Sequence, residues 1–466
     1  MAPRFGTDGL RGVAGVELTP ELALAVGRAA AAVLCPVSPA GPDGSGSEGG
    51  MRPEGRRIVA GRDTRRSGSM LMSALTAGLA AGGVDVLDAG VIPTPGVARL
   101  AGRFGCPGAV ITASHNPFGD NGIKLFGAGG VKLDGAIEAK IEDLLFDSAV
   151  AGGGVPALGG AAIGTITHDP QLVGWYRDEL VRMLPPNQLD GVRLVVDCAN
   201  GAASVTAPAV FAAAGAEVLE VVAGDPDGVN INLSCGSSHP DRLAAAVARH
   251  RADLGLAFDG DADRLVAVDG NGTVVDGDRL LALFASDLRA RGELPGDTVV
   301  VTVMSNLGFH QAMAEAGIAV KSTDVGDRHI LAALDANGWS LGGEQSGHLV
   351  FRRLATTGDG VLSGLLLVDL LKRSGRSLAD MAGNAMRTLP QVLRNVPVSR
   401  RDDLADAAPV WEAVRDVEAD LGSSGRVLLR PSGTEPLIRV MVEAPTPEAA
   451  AEAAERLASA VRVALG

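Results

Sequence analysis

Long apolar runs, paired cysteines and clusters of basic residues are missing from this chain, and each absence removes a class of protein. The most apolar early stretch, Leu22 to Leu34, is interrupted by Gly27 and Arg28 and is too short to cross a bilayer. The N-terminus shows no basic, apolar and cleavage-site pattern of an export signal, so a cytoplasmic protein without a membrane partner is expected. Four cysteines, Cys35, Cys106, Cys198 and Cys235, stand apart with no Cys-x-x-Cys spacing, which signals neither a zinc site nor a disulfide framework. They read as buried thiols. The net charge is −14 and no run of Lys or Arg stands out, so the electrostatic footprint of a nucleic-acid or anionic-lipid partner is lacking. No Gly-x-Ser-x-Gly elbow occurs, which argues against an α/β-hydrolase triad, and without a Walker A loop ATP is not the obvious phosphoryl donor.

Lysine is scarce too. Arginine supplies 36 of the 41 basic residues, leaving Lys124, Lys132, Lys140, Lys321 and Lys372. Arginine keeps its proton in proteins, whereas a desolvated lysine can release one, so Lys124, ten residues after a candidate nucleophile, is a candidate for proton chemistry.

What is present is a chain of 466 residues, 46% hydrophobic and 21% charged, which by length alone predicts about three domains with ample core. Thr19 has the makings of a helix cap, with Pro20 in the first position, Glu21 in the first turn and apolar residues continuing to Leu34. Residues 36–55, rich in Pro, Gly and Ser, read as a mobile loop. Strand-like runs at 57–60, 84–87 and 109–112, separated by helical stretches such as 69–81, predict a parallel sheet. A second Gly-rich stretch, 151–164, reads as a boundary between folded units. Beyond it lie buried-type strands at 193–197 and 253–258, the first running into Cys198-Ala199-Asn200-Gly201 and the second into an Asp-rich loop. From about Arg387 the pattern becomes a smaller α+β cap, with strands at 426–430 and 437–443 around the loop 431–436, then an Ala-rich helix from Pro447.

The loops after the strand-like runs at 109–112, 193–197 and 253–258 each begin where an apolar strand ends, the place where open α/β sheets bind ligands, and four stretches carry chemistry. In Ile111-Thr112-Ala113-Ser114-His115-Asn116-Pro117 the Asn-Pro pair forces a turn, so the Ser114 hydroxyl should project from a strand end. In Asp259-Gly260-Asp261-Ala262-Asp263-Arg264 three carboxylates alternate in a tight loop. A calcium loop of the EF-hand type would need Gly at its sixth position and Glu at its twelfth, where Arg264 and Gly270 stand. Three carboxylates that leave room for a phosphate oxygen and water suit Mg²⁺, and Arg264 would face the same anion. A phosphoryl group stored on Ser114 would carry nearly two negative charges and would need such a cation beside it to be attacked by a neutral hydroxyl. Arg430-Pro431-Ser432-Gly433-Thr434-Glu435-Pro436 with Arg439 supplies two arginines, two hydroxyls and a glycine, the parts of a phosphate clasp. Gly343-Glu344-Gln345-Ser346-Gly347-His348 offers carboxylate, hydroxyl and imidazole at alternate positions, suited to vicinal sugar hydroxyls.

Together with Phe5-Gly6-Thr7-Asp8-Gly9-Leu10-Arg11-Gly12, these stretches resemble the five signatures of the α-D-phosphohexomutases, in order and over nearly the whole chain. Gln345, Asn230-Ile231-Asn232 with Cys235-Gly236-Ser237, Val303-Met304-Ser305-Asn306-Leu307-Gly308 and Val325-Gly326-Asp327-Arg328 are similar to the branch that interconverts glucosamine 6-phosphate and glucosamine 1-phosphate. The resemblance implies α/β architecture: three related α/β/α mixed-sheet domains (1–155, 156–257 and 258–380) and a smaller C-terminal α+β domain (381–466), heart-shaped around a central cleft. It implies phosphosugars as small-molecule partners, one Mg²⁺ per chain, a hexose 1,6-bisphosphate activator, and a monomer or homodimer. It further implies Ser114, Asp259, Asp261 and Asp263 on the metal, and Lys124, His115 and Arg11 near the transferring group. Glu344, Ser346 and His348 would hold the sugar, Arg264 the anion, and Arg430, Ser432, Gly433, Thr434 and Arg439 the phosphate that is not reacting. Lys124 and His348 stay competing candidates for general acid and base. The insertion at 36–55, Leu10 and Ser238 depart from the pattern without touching the proposed chemistry. A broad-specificity hexose phosphate mutase and a catalytically silent phosphosugar sensor remain as alternatives.

Overall fold

The computed structural model describes residues 4–6, 8–36, 55–146, 158–432 and 435–466. Most of the expected loop at 36–55, the first half of the Gly-rich stretch at 151–164, and Gly433 and Thr434 lie outside the described residues.

Among the described residues four sheets follow one another along the chain. The first has seven strands, in the order Phe5–Gly6, Gly9–Val13, Asp120–Phe126, Gly108–Ile111, Arg57–Arg62, Asp85–Val91, Ile166–His168. The last four in that order run parallel, as the alternation of strands and helices predicts, and the first three are antiparallel, so the sheet is mixed. Ile166–His168 pairs with Asp85–Val91, so the chain is still building the first sheet after the Gly-rich stretch expected to end that unit. The second sheet orders Val274–Val275, Leu265–Asp269, Leu254–Phe258, Arg193–Asp197 and Glu217–Val222. Here the expected boundary at 258 falls inside a hairpin: Leu254–Phe258 and Leu265–Asp269 pair antiparallel along their whole length, which puts the Asp loop on the second sheet rather than the third. The third sheet has four strands and includes Thr298–Thr302, parallel to Leu341–Gly343, which pairs antiparallel with Leu349–Phe351. The fourth is an antiparallel sheet in the order Gln391–Pro397, Leu437–Glu443 and Arg426–Pro431, with the last strand in sequence at its centre, packed under the helix Pro447–Leu465.

The chain divides into two compact units, residues 1–303 with 321–382, and residues 304–320 with 383–466. The helix Leu307–Glu315 packs with the C-terminal module. Polar locks explain this. Asn306 caps that helix, and its side chain also exchanges hydrogen bonds of 3.0 Å with the carbonyl and the N–H of Leu389. Leu307 N–H donates to the buried Glu443 carboxylate at 2.8 Å.

Local rules account for the first helix. Its span is Pro20–Leu34, and the Thr19 hydroxyl accepts from Leu22 N–H at 3.3 Å, satisfying one of the N–H groups left orphaned at a helix start. It packs on the helix Arg66–Ala81 at a glycine crossing, where a β carbon on Gly27 would stand 2.2 Å from the Leu75 carbonyl and one on Gly78 2.2 Å from that of Leu24. Glycine here lets two backbones touch above the core that covers the first sheet. We predict that Gly78→Ala lowers stability by about 1–3 kcal/mol through overpacking, against a helix-propensity gain of about 1 kcal/mol. Urea unfolding followed by far-UV circular dichroism gives the sign, and a net gain would show that the crossing can widen freely.

Candidate functional site

The loop after Gly108–Ile111 carries Ser114 in the left-handed region, at φ 52°, which a residue with a β carbon adopts only when its surroundings impose it. Those surroundings are polar. Ser114 N–H donates to the Thr112 hydroxyl at 2.9 Å, and its carbonyl accepts from Arg65 Nη2 at 2.9 Å and Asn232 Nδ2 at 2.8 Å. The hydroxyl points the other way, donating to Asp259 Oδ2 at 2.5 Å and lying 3.3 Å from His115 Nδ1. Expectation and structure agree that this hydroxyl projects from a strand end.

The Asp loop turns tightly between its two strands, with Ala262 at φ 57°. Its backbone is held by neighbouring segments: Thr94 N–H donates to the Asp261 carbonyl at 3.0 Å, Ala202 N–H to that of Gly260 at 2.8 Å and Gly360 N–H to that of Ala262 at 3.0 Å. Asp259, Asp261 and Asp263 are all buried, and each offers an oxygen within 4.8 Å of the others. Burial and the adjacent Asp263 and Asp261 carboxylates push Asp259 well above the usual carboxylate range. Asp263 moves the other way: burial opposes its charge, but Lys124, His348 and Arg264 outweigh burial and hold it well below that range. Asp261 Oδ1 and Asp263 Oδ1 are buried and find no hydrogen-bond partner among the described residues. Crowded hard oxygens with lone pairs unspent fit a divalent cation, and this trio is able to hold one.

Lys124 lies across the trio. Its ammonium donates to Asp261 Oδ2 at 2.9 Å and Asp263 Oδ2 at 3.2 Å, and Asp8 Oδ2 is 3.1 Å away. Burial disfavours its charge, yet Asp261, Asp263 and Asp8 hold it well above the ordinary lysine value, so it is charged as the site stands. Arg11 bonds Asp8 and also donates to Asn116 Oδ1 at 3.2 Å, which ties the N-terminal motif to the Ser114 loop. His115 is pressed down to about 4 by burial and by the Arg264 and Arg11 charges, so its imidazole is neutral at pH 7. His348 sits 3.8 Å from Asp263 and 4.0 Å from Asp327, and although burial alone would lower it, Asp263 and Asp327 raise it to about 9. In the sugar motif Ser346 Oγ donates to Glu344 Oε2 at 3.2 Å, and Gly347 accepts Leu265 N–H at 2.9 Å, seating this loop against the strand that leaves the Asp loop. Arg264 lies beside Asp263, Nε to Oδ1 3.9 Å.

The first compact unit therefore brings together Arg11, Ser114, His115, Lys124, the three aspartates, Arg264, Glu344, Ser346 and His348. In the second unit Arg430 stands directly opposite Arg439 on adjacent strands. Burial and the Arg439 charge lower Arg430, and Arg439 Nε is buried with no hydrogen-bond partner among the described residues. The Ser432 carbonyl accepts from Arg401 Nη1 at 3.1 Å, and its hydroxyl from Glu435 N–H at 3.3 Å. Opposed guanidinium groups repel unless an anion comes between them, as the clasp reading requires.

Sequence reasoning missed several groups here. Thr94 donates to Asp261 Oδ2 at 2.6 Å, Lys132 pairs with Asp327, and Asp63 and Arg65 lie buried behind the Ser114 loop. Asp63-Thr64-Arg65 does carry a signal, since it follows the parallel strand Arg57–Arg62 as the other motif loops follow theirs.

Known proteins place the chain among mutases of phosphosugars. The models for phosphoglucomutase/phosphomannomutase match as α/β/α domain I over residues 2–150, domain II over 176–272, domain III over 276–389 and the C-terminal domain over 393–460. The chain belongs to this family, the α-D-phosphohexomutases. Within it the similarity narrows to phosphoglucosamine mutases. That of Mycolicibacterium paratuberculosis is 51% identical over 466 residues, covering 100% of both chains, and that of Rhodococcus opacus is 52% identical over 462 residues, covering 99% of each. Among solved structures, a phosphoglucomutase/phosphomannomutase family protein from Burkholderia thailandensis superposes with a TM-score of 0.77 at 26% identity, over 100% of this chain and 98% of that one. The fold is shared with Aspergillus fumigatus N-acetylphosphoglucosamine mutase, solved with GlcNAc-6P and magnesium, at a TM-score of 0.69 and 19% identity, over 100% of this chain and 96% of that one. Among the described residues no helix is long and apolar enough to cross a membrane.

Burial and the neighbouring carboxylates disfavour the ionised form of Asp259 that a cation at the trio needs, so cation affinity should fall as pH falls. We predict that Mg²⁺ or Mn²⁺ raises the thermal midpoint of chelator-treated protein more at pH 8 than at pH 5. Asp261→Asn should abolish this shift, and a shift that survives in the variant would place the cation elsewhere.

Proposed function

We propose that the chain interconverts glucosamine 6-phosphate and glucosamine 1-phosphate through phosphorylated Ser114 and a glucosamine 1,6-bisphosphate intermediate, an isomerase of the cytoplasm feeding UDP-N-acetylglucosamine and cell-wall precursors. The observation that carries this is the Ser114 hydroxyl bonded to Asp259 beside two further buried carboxylates, in a chain about half identical to phosphoglucosamine mutases over its whole length.

In the first half reaction a sugar hydroxyl oxygen attacks the phosphorus on Ser114. The bond from phosphorus to Oγ breaks, the hydroxyl gives up its proton and Oγ gains one. After the bisphosphate turns over, Oγ attacks the other phosphorus and gives up its proton, the bond from phosphorus to the sugar oxygen breaks, that oxygen gains a proton, and the enzyme is phosphorylated again. Asp259, Asp261 and Asp263 with the serine phosphate would hold Mg²⁺, which when bound supplies charge neutralisation at the transferring group. Lys124, charged and buried, is set to stabilise that group and to protonate Oγ as it leaves. His348, also protonated as it stands, remains the competing acid, and neutral His115 beside Oγ is positioned to take a proton. Arg11 and Arg264 add positive charge for the phosphate, and Glu344, Ser346 and His348 orient the sugar hydroxyls. Arg430, Ser432 and Arg439, with Gly433 and Thr434, take the phosphate that is not reacting. Because either end of the bisphosphate fits such a clasp, one site serves both half reactions. A hexose 1,6-bisphosphate primes Ser114.

Turnover of glucosamine 6-phosphate, glucose 6-phosphate and mannose 6-phosphate in parallel, with Mg²⁺ and a trace of hexose 1,6-bisphosphate, tests the reading. A strong preference for the amino sugar is expected, equal use of the neutral hexoses would move the chain to a broad mutase, and no turnover by phosphorylated protein would leave a sensor. Ser114→Ala should lose covalent phosphate and turnover together. Lys124→Met should lower kcat by roughly a hundredfold or more with KM little changed, and near-normal kcat would remove lysine from proton transfer.

A further inference from the structure

Among the described residues the largest fully buried side chain is not aromatic or aliphatic but Arg65, at 1% exposure. Taking a guanidinium out of water is costly, and replacing a buried ion pair by apolar packing is often neutral or stabilising, so fold stability alone is a weak reason for this one. Its hydrogen bonds show what it does. Nε donates to Asp63 Oδ2 at 2.9 Å, and Nη2 to the carbonyls of Ser114 at 2.9 Å and Asn116 at 2.8 Å. Nη1 donates to the carbonyls of Pro117 and, at 3.1 Å, Asp120. One planar fork thus gathers four carbonyls of residues 114–120. The same Asp63 oxygen accepts the Thr112 hydroxyl at 2.8 Å, which in turn accepts Ser114 N–H. Asn232, from the second-sheet module, repeats the grip, its Nδ2 donating to the carbonyls of Ser114 at 2.8 Å and Asn116 at 3.0 Å. In the structure neither side chain bonds Oγ itself, which is bound by Asp259.

We propose that Arg65, assisted by Asn232, is the positioning residue that keeps Ser114 Oγ in one place whether or not it carries a phosphoryl group. The inference rests on the phosphoserine reading above. In that cycle the sugar turns over between half reactions while the serine must meet first one hydroxyl and then the other along the same line of attack. Phosphorylation adds nearly two negative charges to a hydroxyl bound to Asp259 in the aspartate trio, so the forces on the loop change with every transfer. A backbone gripped at its carbonyls and at the Ser114 N–H resists that pull, and the left-handed φ is the conformation so enforced. Lysine cannot substitute, because three donors on one nitrogen of a flexible stem do not reach the Asp63 carboxylate and four carbonyls that the three nitrogens of the fork hold at once. A loosened serine phosphate would also meet water, whose oxygen attacks phosphorus, breaking the bond to Oγ and releasing inorganic phosphate as Oγ takes up a proton.

The test compares wild type, Arg65→Lys and Asn232→Ala, each titrated for phosphorylatable Ser114 with radiolabelled hexose 1,6-bisphosphate so that rates refer to folded sites. Expected are a fall in kcat of about 100-fold for Arg65→Lys and about tenfold for Asn232→Ala. KM for glucosamine 6-phosphate should stay within about twofold, since neither residue is among those assigned to the sugar. The ratio of phosphoserine hydrolysis to transfer should rise in both. A merely structural role predicts fewer titratable sites with normal kcat and hydrolysis per site, and that result would overturn the proposal. Should Arg65→Lys not fold, Asn232→Ala decides alone, with unchanged kcat and hydrolysis counting against it. Failure of the phosphoserine reading is distinct, because wild type would then take up no label or Ser114→Ala would keep turnover.

Discussion

Three carboxylates buried within 4.8 Å of one another are the constraint around which the first compact unit is arranged. At an effective dielectric of about 20, each like-charged pair at that spacing costs about 3–4 kcal/mol. The protein answers with opposite charge from separate parts of the chain: Lys124 from the first sheet, His348 from the third, and Arg264 from the loop itself. Asp259, pushed up by burial and by its two neighbours, accepts the Ser114 hydroxyl instead.

The same crowding explains why the backbone around it is so firmly held. The Asp loop is fixed by N–H groups of Thr94, Ala202 and Gly360, one from each of the segments carrying the first three sheets. Asp359, beside Gly360, accepts from Tyr176 at 3.1 Å and pairs with Arg99 at 3.3 Å, so the same segments also meet at a buried carboxylate one layer back. Preorganised charge is useful to catalysis because it need not be rearranged when charge develops on the substrate.

Much of the fold was legible because its signals are local. The Thr19 cap, the alternation of strands and helices from Arg57 onward and the paired strands at 426–431 and 437–443 are written in neighbouring residues, and the structure has them. The boundaries at 155 and 258 are not local. Ile166–His168 is short and exposed and becomes a strand only because Asp85–Val91 offers it an edge, and the hairpin around the Asp loop joins the second sheet by pairing with Arg193–Asp197. Residues 304–320 join the C-terminal module through Asn306, Leu389 and Glu443, contacts that no helical periodicity encodes.

The candidate site divides in the same way. The sequence by itself determined which residue types stand on which loops: a hydroxyl after one strand, alternating carboxylates after another, arginines and hydroxyls between two more. Tertiary structure alone decided how those groups act on one another. Ser114 and Asp259 are 145 residues apart, and Lys124 and Asp261 137 apart, yet their separation in space sets which carboxyl is pushed up, which is held down and which nitrogen keeps its charge. Arg65 reads in the sequence as one of 36 arginines and becomes a buried clamp only once the Ser114 loop folds over it. Charge balance and burial depend on distance through space, which a linear pattern records only where folding has already brought its parts together.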